Sequence, residues 1–329
     1  MTDLLTIIVP VYNVEKHVER MLQSVCAQTY ENLQIILIDD GSTDGSLQIC
    51  KEWEKKDKRI KVYTQQNCGV AKTRNRGIEL AEGKYLMFVD ADDWIEPDML
   101  QVLYDAAVKY GADVANCMLQ EEKNETQKSA DAFRICEKGD MKVSCFETRE
   151  ESGLALLLVW GPVCKLYRTD IVRDIRFEEY KIGEDLLFNT NVICNDKFQR
   201  VATVYYPFYH YIIYPGSAMQ QSFQQKYLDA MKVEEECYDK LTAISEKYAD
   251  INLIGCSVSR VFEKYAVLSR KEKKKYRNDF KYCKQFAKQH KKALLGTTNF
   301  HRKISGWVKV YIPDIYIWIL GISKRGNVS

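Results

Sequence analysis

No stretch of this 329-residue chain is both long and apolar enough to span a bilayer. The nearest approach, Val310–Ile322, is short and is broken by Pro313 and Asp314. The amino terminus has no basic region, and its first apolar run meets Pro10, so no signal peptide is expected. The eleven cysteines include no Cys-x-x-Cys and follow no regular spacing. That argues against a disulfide framework or a zinc site and fits reduced thiols in a cytoplasm. Gly-x-x-x-x-Gly-Lys and Gly-x-Gly-x-x-Gly are both missing, which argues against a P-loop or a dinucleotide fold. Net charge is nearly absent too, at +2, but the sum conceals an asymmetry. Residues 264–303 hold fourteen Lys or Arg against two acids, a net +12, which leaves the remainder at −10.

What is present describes an ordinary globular protein, 46% hydrophobic and 29% charged. Its centre is the stretch Glu82–Pro97. Tyr85–Val89 is a short aromatic and β-branched run of the kind that forms a buried parallel strand. Asp90, Asp92 and Asp93 stand at its carboxyl end, and Pro97 then opens a helix with Leu100, Leu103, Tyr104 and Ala107 on one face. Two readings fit the acids. They cap the helix and complement its dipole, or they surround a Mg²⁺ or Mn²⁺ that relieves their repulsion and bridges phosphate oxygens.

The first third repeats this pattern. Strands are expected at Leu4–Val9, Leu33–Ile38, Ile60–Thr64, Tyr85–Val89 and Ala112–Cys117, with helices between them. Such alternation predicts an α/β, doubly wound, mostly parallel sheet whose site lies at the carboxyl edge. Polar residues gather there: Pro10-Val11-Tyr12-Asn13, Asp39-Asp40-Gly41-Ser42-Thr43-Asp44, then Asn67-Cys68-Gly69 leading to Lys72, Arg74 and Arg76. Each group alone is also good turn or cap chemistry.

Pro10-x-Tyr12-Asn13, Asp39-Asp40-Gly41-Ser42-x-Asp44, Asn67-x-Gly69-x-Ala71-x-x-Arg74-Asn75-x-Gly77 and Asp90-Ala91-Asp92-Asp93 resemble, in order and spacing, the family 2 glycosyltransferases. The resemblance covers residues 4 to about 118, then loosens, although Gly183-Glu184-Asp185 is similar to the family's catalytic acid motif. It implies a GT-A fold, a nucleoside-diphosphate sugar donor, a divalent Mn or Mg, and inversion at the anomeric carbon; a UDP-sugar is the expected donor. On this chain it implies a donor site of Pro10, Tyr12, Asn13, Asp40, Asn67, Gly69, Arg74, Asp90 and Ala91. Tyr12 and Asp40 would hold the base, Arg74 would support that pocket, and Asp90 would contact the ribose. Asp92 would ligate the metal, and Asp185 would act as general base with Glu184 beside it.

Residues 119–150 read as a polar surface excursion with a short strand at Val143–Phe146, and Leu154–Trp160 as an apolar helix. The acceptor side is assigned to Asp93, Trp94, Trp160 and Lys165; for Trp160 and Lys165, plain packing is an equal reading. Val201–Tyr214 is rich in aromatics, with His210 among them, and Pro215-Gly216-Ser217 follows as a turn. The resemblance implies His210 near metal or phosphate and Ser217 in a loop over the diphosphate; a bonded core histidine is the alternative.

From Phe223 onward the chain reads as helical. Tyr276, Phe280, Cys283 and Ala287 form an apolar stripe surrounded by lysines, and Trp307, Tyr311, Tyr316 and Trp318 follow. A solvated face is the ordinary reading. A basic amphipathic segment with interface-favouring aromatics also suits the anionic inner face of a membrane. No nucleic-acid module accompanies the charge. Three segments are expected: residues 1–118 for the donor, 119–220 for acceptor and base, and 221–329 as a basic helical region. The expected activity is transfer of a sugar to a growing or lipid-linked glycan. The rival readings are a nucleotidyltransferase, for which Pro-Val-Tyr-Asn replaces the expected basic Gly-rich loop, and a non-catalytic binding module. Oligomeric state is left open.

Overall fold

The computed structural model describes residues 2–123, 141–159, 161–214, 223, 226–296 and 299–326. Two compact units divide the chain: residues 1–179 with 191–215, and residues 180–190 with 216–329.

The first unit is built on a nine-stranded sheet. Its strands are β1 (Leu5–Val11), β2 (Leu33–Asp39), β3 (Ile60–Thr64), β4 (Tyr85–Phe88), β5 (Trp94–Ile95), β6 (Val114–Lys123), β7 (Val143–Phe146), β8 (Lys165–Arg168) and β9 (Val201–Ile213). They run in the order β3-β2-β1-β4-β8-β6-β9-β5, with β7 also on β9. The block β3-β2-β1-β4 is parallel throughout, as its alternation with α1 (Val18–Cys26), α2 (Ser46–Lys56) and α3 (Val70–Leu80) predicts. Beyond β4 the sheet is mixed, since β8 pairs antiparallel with both β4 and β6. The inner strands β2, β1 and β4 are apolar on both faces because helices cover both, and Ile7, Ile8, Ile35, Ile36, Leu86 and Met87 are fully buried, whereas edge strand β3 buries only Ile60. Helix α1 turns Val18, Met21, Leu22 and Val25 into this core, an i, i+3, i+4, i+7 stripe. Helix α3 approaches β1 so closely that a Cβ on Gly77 would stand 2.2 Å from Ile8 Cγ2. No larger residue fits there without displacing a core isoleucine.

Helices α4 (Met99–Tyr110), α5 (Arg149–Leu156) and α6 (Thr169–Val172) complete this unit, and α7 (Glu184–Cys194) contributes residues to both. Three features differ from the sequence reading. The apolar helix expected at Leu154–Trp160 instead runs from Arg149 to Leu156. The segment after Asp93 first forms β5, antiparallel to β9, before α4 begins at Met99. The supposed excursion from residue 119 instead continues β6 as far as Lys123, paired with β9. Gln120 and Glu122 are buried there, and Glu122 is bonded to His210; polar residues with buried partners look like surface in a sequence.

The second unit is helical: α8 (Lys226–Ile244), α9 (Leu253–Ala266), α10 (Arg270–Lys275), α11 (Arg277–Gln289), α12 (Lys291–Leu295), α13 (Phe300–Tyr311) and α14 (Pro313–Gly326). Its core gathers Tyr227, Met231, Val258, Phe262, Phe280, Cys283 and Phe286. The α11 stripe therefore faces a core, and its lysines lie outside. A capping box at Ser269 and Glu272 starts α10 despite its run of lysines. Among the described residues no helix is long and apolar enough to cross a membrane.

Candidate active site

The carboxyl ends of β1, β2 and β4 and the start of α3 surround a cavity of about 390 Å³. It is lined by Pro10, Tyr12, Asp40, Asn67, Gly69, Arg74, Asp90, Ala91 and Asp92 of the expected donor and metal set, together with Val11, Val14, Val70 and Thr73. Those last four were not among the expected site residues; three valines and a hydroxyl carry no distinctive signal.

At the end of β1, Tyr12 is 49% exposed and offers its ring as a stacking surface. Asn13, expected at the donor, does not line the cavity. Its backbone is left-handed, and its Oδ1 accepts from Thr43 N at 2.8 Å while its N–H donates to Ser42 Oγ at 3.1 Å. Asp44 accepts similarly from Glu15 N and Ser46 N. Asn13 and Asp44 thus fasten the β1 and β2 loops together.

Asp40 is nearly enclosed. Its Oδ1 accepts from Gln65 Nε2 at 2.8 Å and Cys68 N at 2.9 Å, and its Oδ2 from Gly69 N at 2.9 Å. Burial alone would raise this carboxyl, but those donors prevail and hold it below the usual range. The result is a fixed anion, an acceptor only, facing the pocket. Gly69 takes φ +90 to turn its N–H toward Asp40, a conformation side chains resist. Gln65 was also missed. It stands just past the end of β3, where a polar residue could have been suspected, and is itself held by Arg76 Nη1 at 3.1 Å.

Arg74 Nη2 donates to Asp90 Oδ1 at 2.9 Å, and its guanidinium lies 5.3 Å from the Phe177 ring centre. Asn75 sets that ring by exchanging two hydrogen bonds of 2.8 Å with the Phe177 backbone. The residues Arg74, Asn75 and Gly77 thus have separate tasks: charge pairing, loop anchoring and helix–strand approach.

Three carboxyls lie within four residues. Burial first, and the Asp90 charge second, push Asp92 above the usual carboxyl range. Burial, then Asp90 and Asp92, push Asp93 up to about 8. Asp90 and Asp92 face the same cavity, so the pair suits a hard divalent cation that would offset their repulsion. Asp93 does not. It is fully buried, accepting from the Tyr209 hydroxyl at 2.7 Å and Ile212 N at 2.9 Å, so it fastens β9 beneath the acid loop and is closed to an acceptor. The same Tyr209 hydroxyl accepts from Asp90 N at 3.1 Å.

His210 is likewise removed from the metal set. It is buried between Glu122 (2.9 Å) and Glu96 (3.2 Å) and stacked on Trp94 at 3.6 Å. Trp94 is accordingly a half-buried packing partner of that histidine. Lys165 is fully enclosed, its ammonium donating to the Val159 and Gly161 carbonyls at 2.6 Å each, so it anchors a loop and meets no acceptor. Trp160 and Ser217 lie outside the described residues. Among the described residues no cluster of three or more His, Cys, Asp or Glu side chains is suited to hold a metal by itself. A cation at Asp90 and Asp92 would therefore draw its other ligands from phosphate and water, as Mg²⁺ commonly does.

Glu184 and Asp185 open α7, and Asp185 Oδ1 accepts from Leu186 N at 2.7 Å. Both belong to the second unit and are half-buried.

Comparison with known proteins adds a family and a fold. The description "Glycosyl transferase family 2" matches residues 6–176. Glycosyltransferase GlyA of Streptococcus pneumoniae is 35% identical over 237 residues, covering 70% of this chain and 33% of that protein. The putative glycosyltransferase EpsH of Bacillus subtilis is 32% identical over 235 residues, covering 70% of this chain and 66% of that one. The chain thus spans about a third to two thirds of these relatives. S. aureus TarS 1-349, solved in complex with UDP-GlcNAc, superposes with a TM-score of 0.67 at 22% identity, over 98% of this chain and 92% of that one. That likeness establishes the shared GT-A fold.

Proposed function

The chain belongs to glycosyl transferase family 2, and on that premise we propose that it moves a sugar from a nucleoside-diphosphate sugar, UDP-linked, to a hydroxyl of a growing glycan, with inversion. One observation carries the reading. A single cavity joins an aromatic platform (Tyr12), a fixed anionic acceptor (Asp40), an Arg74–Asp90 pair and a second carboxylate (Asp92). Those are the parts needed to hold a base, a ribose and a charged diphosphate. The UDP-GlcNAc bound to TarS, which shares this fold, supports UDP as the nucleotide.

In this reading Tyr12 stacks on the base, and Asp40 accepts from its imino N–H. Arg74 keeps the Asp90 carboxylate aimed at the ribose. Asp92, with Asp90 near it, would hold Mg²⁺ or Mn²⁺, which when bound neutralises charge on the departing diphosphate. Asp185 takes the proton of the acceptor hydroxyl while that oxygen bonds to C1 and the C1–O bond to phosphate breaks, its electrons leaving with the nucleotide. One displacement from the opposite face inverts the centre. Glu184 orients the acceptor. The acceptor is a glycan, lipid-linked or free, met at the inner face of a membrane, and the basic carboxyl-terminal region supports that placement.

Titration calorimetry with UDP and Mn²⁺, beside a transfer assay, tests this. Asp92→Asn should lose the metal-dependent part of the affinity. Asp185→Asn should keep affinity while turnover falls about 10²–10⁴-fold. Unchanged metal-dependent affinity in the first removes Asp92 from the site, and near-parental turnover in the second removes Asp185 as base.

A further inference from the structure

The second unit holds a cavity larger than the donor pocket, about 720 Å³. Lys273, Arg277, Lys281 and Lys284 line it, against one carboxylate, Asp314. Its floor is aromatic: Tyr265 and Phe280 stack with centroids 4.1 Å apart and planes within 10°. Lys284 is partly neutralised by Asp314 at 3.2 Å. Lys273 donates to the Ala266 carbonyl at 2.8 Å and lies 5.8 Å from the Tyr265 ring centre, which fixes its ammonium at the rim. Arg277 and Lys281, one helical turn apart on α11, are exposed and have no ion-pair partner among the described residues. A concave wall of four cationic side chains against one carboxylate calls for a phosphate-bearing ligand.

Helix α14 supplies Asp314 and Ile317 to this cavity, and one residue further round each of those positions stand Ile315 and Trp318. They are 52% and 67% exposed, on a face rotated about 100° from the cavity wall. On α13, Ile304, Trp307 and Tyr311 are 49%, 49% and 54% exposed. The spacing 304, 307, 311 is helical on α13, and 315, 318 is helical on α14, which begins anew at Pro313 after the break at Ile312; each helix turns large apolar groups outward while Val310 and Ile317 pack inward. Tyr316, grouped with these aromatics by sequence, instead packs on Phe262. Solvent-facing apolar stripes of this size mark interaction surfaces.

We infer that the α13–α14 stripe and the adjoining cationic cavity together form a docking surface for an anionic phospholipid bilayer. Charge complementarity selects the occupant, because residues 264–303 carry a net +12. Trp and Tyr favour the interfacial depth at which lipid phosphates would meet Lys273, Arg277 and Lys281. The inference deepens the membrane placement proposed above and does not depend on the transfer chemistry.

Co-sedimentation of the full chain at low salt, with vesicles of phosphatidylcholine alone or mixed with phosphatidylglycerol, tests it. The parent should bind only the mixed vesicles and be released by salt. Arg277→Glu with Lys281→Glu should weaken binding at least about thirtyfold, the loss of two basic contacts. Trp307→Ser with Trp318→Ser should weaken it even at constant charge. All four side chains are exposed, and unchanged melting temperatures would verify folding. A parent that fails to sediment overturns both the surface and the membrane placement. A parent that binds while both variants bind equally well overturns the surface alone. If the parent is an oligomer that the tryptophan variant splits into monomers, the stripe joins copies of the chain, and the inference is again overturned.

Discussion

Glu234 on α8 and Arg260 on α9 form an ion pair of 2.8 Å in which Glu234 is 1% exposed. Burial pushes the Glu234 carboxyl above its usual range; Arg260 pulls it back, and the charge of Asp185 adds to the rise. The pair therefore feels the charge of the proposed base. Arg260→Met keeps most of the side-chain volume and strands the carboxylate, which at about pH 8 should cost about 3–5 kcal/mol of stability. The cost should depend on pH. Without Arg260, the folded protein keeps a proton on Glu234 well above the ordinary value of 4.5, whereas the unfolded chain releases it there. A raised carboxyl stabilises most at low pH, and that contribution is lost as pH rises toward the folded pKa. Between the raised pKa that Glu234 has in the parent and the higher one it takes without Arg260, the variant should lose about 1.4 kcal/mol per pH unit relative to the parent. Adding Glu234→Gln removes the titrating group, so the double variant should recover more than about 1 kcal/mol over Arg260→Met at about pH 8 and lose the extra pH slope. Urea unfolding at several pH values measures all three proteins. Parallel pH curves for parent and Arg260→Met, with additive single effects, would refute the reasoning.

Gly77→Ala places a methyl 2.2 Å from Ile8 Cγ2, so it should destabilise by about 1–3 kcal/mol, and pairing it with Ile8→Ala should cost less than the sum of the two. Thermal melts of the three variants decide; additivity would mean the helix simply shifts. Lys165→Met leaves the Val159 and Gly161 carbonyls without their ammonium and should cost about 1–3 kcal/mol, with no selective loss of acceptor affinity in transfer kinetics. Parental stability with a raised acceptor KM would restore Lys165 to the acceptor side.

The parallel half of the sheet was legible because β1, β2 and β4 are short apolar runs interrupted by helical stripes, a pattern burial on both faces imposes. The donor cavity was legible for a related reason. In such sheets the carboxyl ends of the strands converge, so polar clusters far apart in sequence fall on one edge. Residue type alone could not separate the acids that face this cavity from those that hold it up. Asp92 faces it, while Asp93, its neighbour, is turned beneath and bonded to Tyr209 and Ile212. That distinction depends on β9, more than a hundred residues away, which no local pattern reports. His210 and Lys165, for each of which a packed role stood beside the functional one, show the same limit. Each looks reactive in sequence, and each is enclosed by partners that local spacing does not reveal: two glutamates from β6 and the segment after β5, and a ring of carbonyls from the loop before β8. Polar side chains that reach a cavity and polar side chains that brace it obey the same rule, that a buried charge needs a partner. For the cavity-facing set, part of that partner is the ligand. Asp40 and Arg74 are already paired within the protein, so they should tolerate an empty pocket, whereas Asp92, raised by burial and by Asp90, has the most to gain from a bound cation. The carboxylate least satisfied by the protein is therefore the one on which ligand binding should depend most.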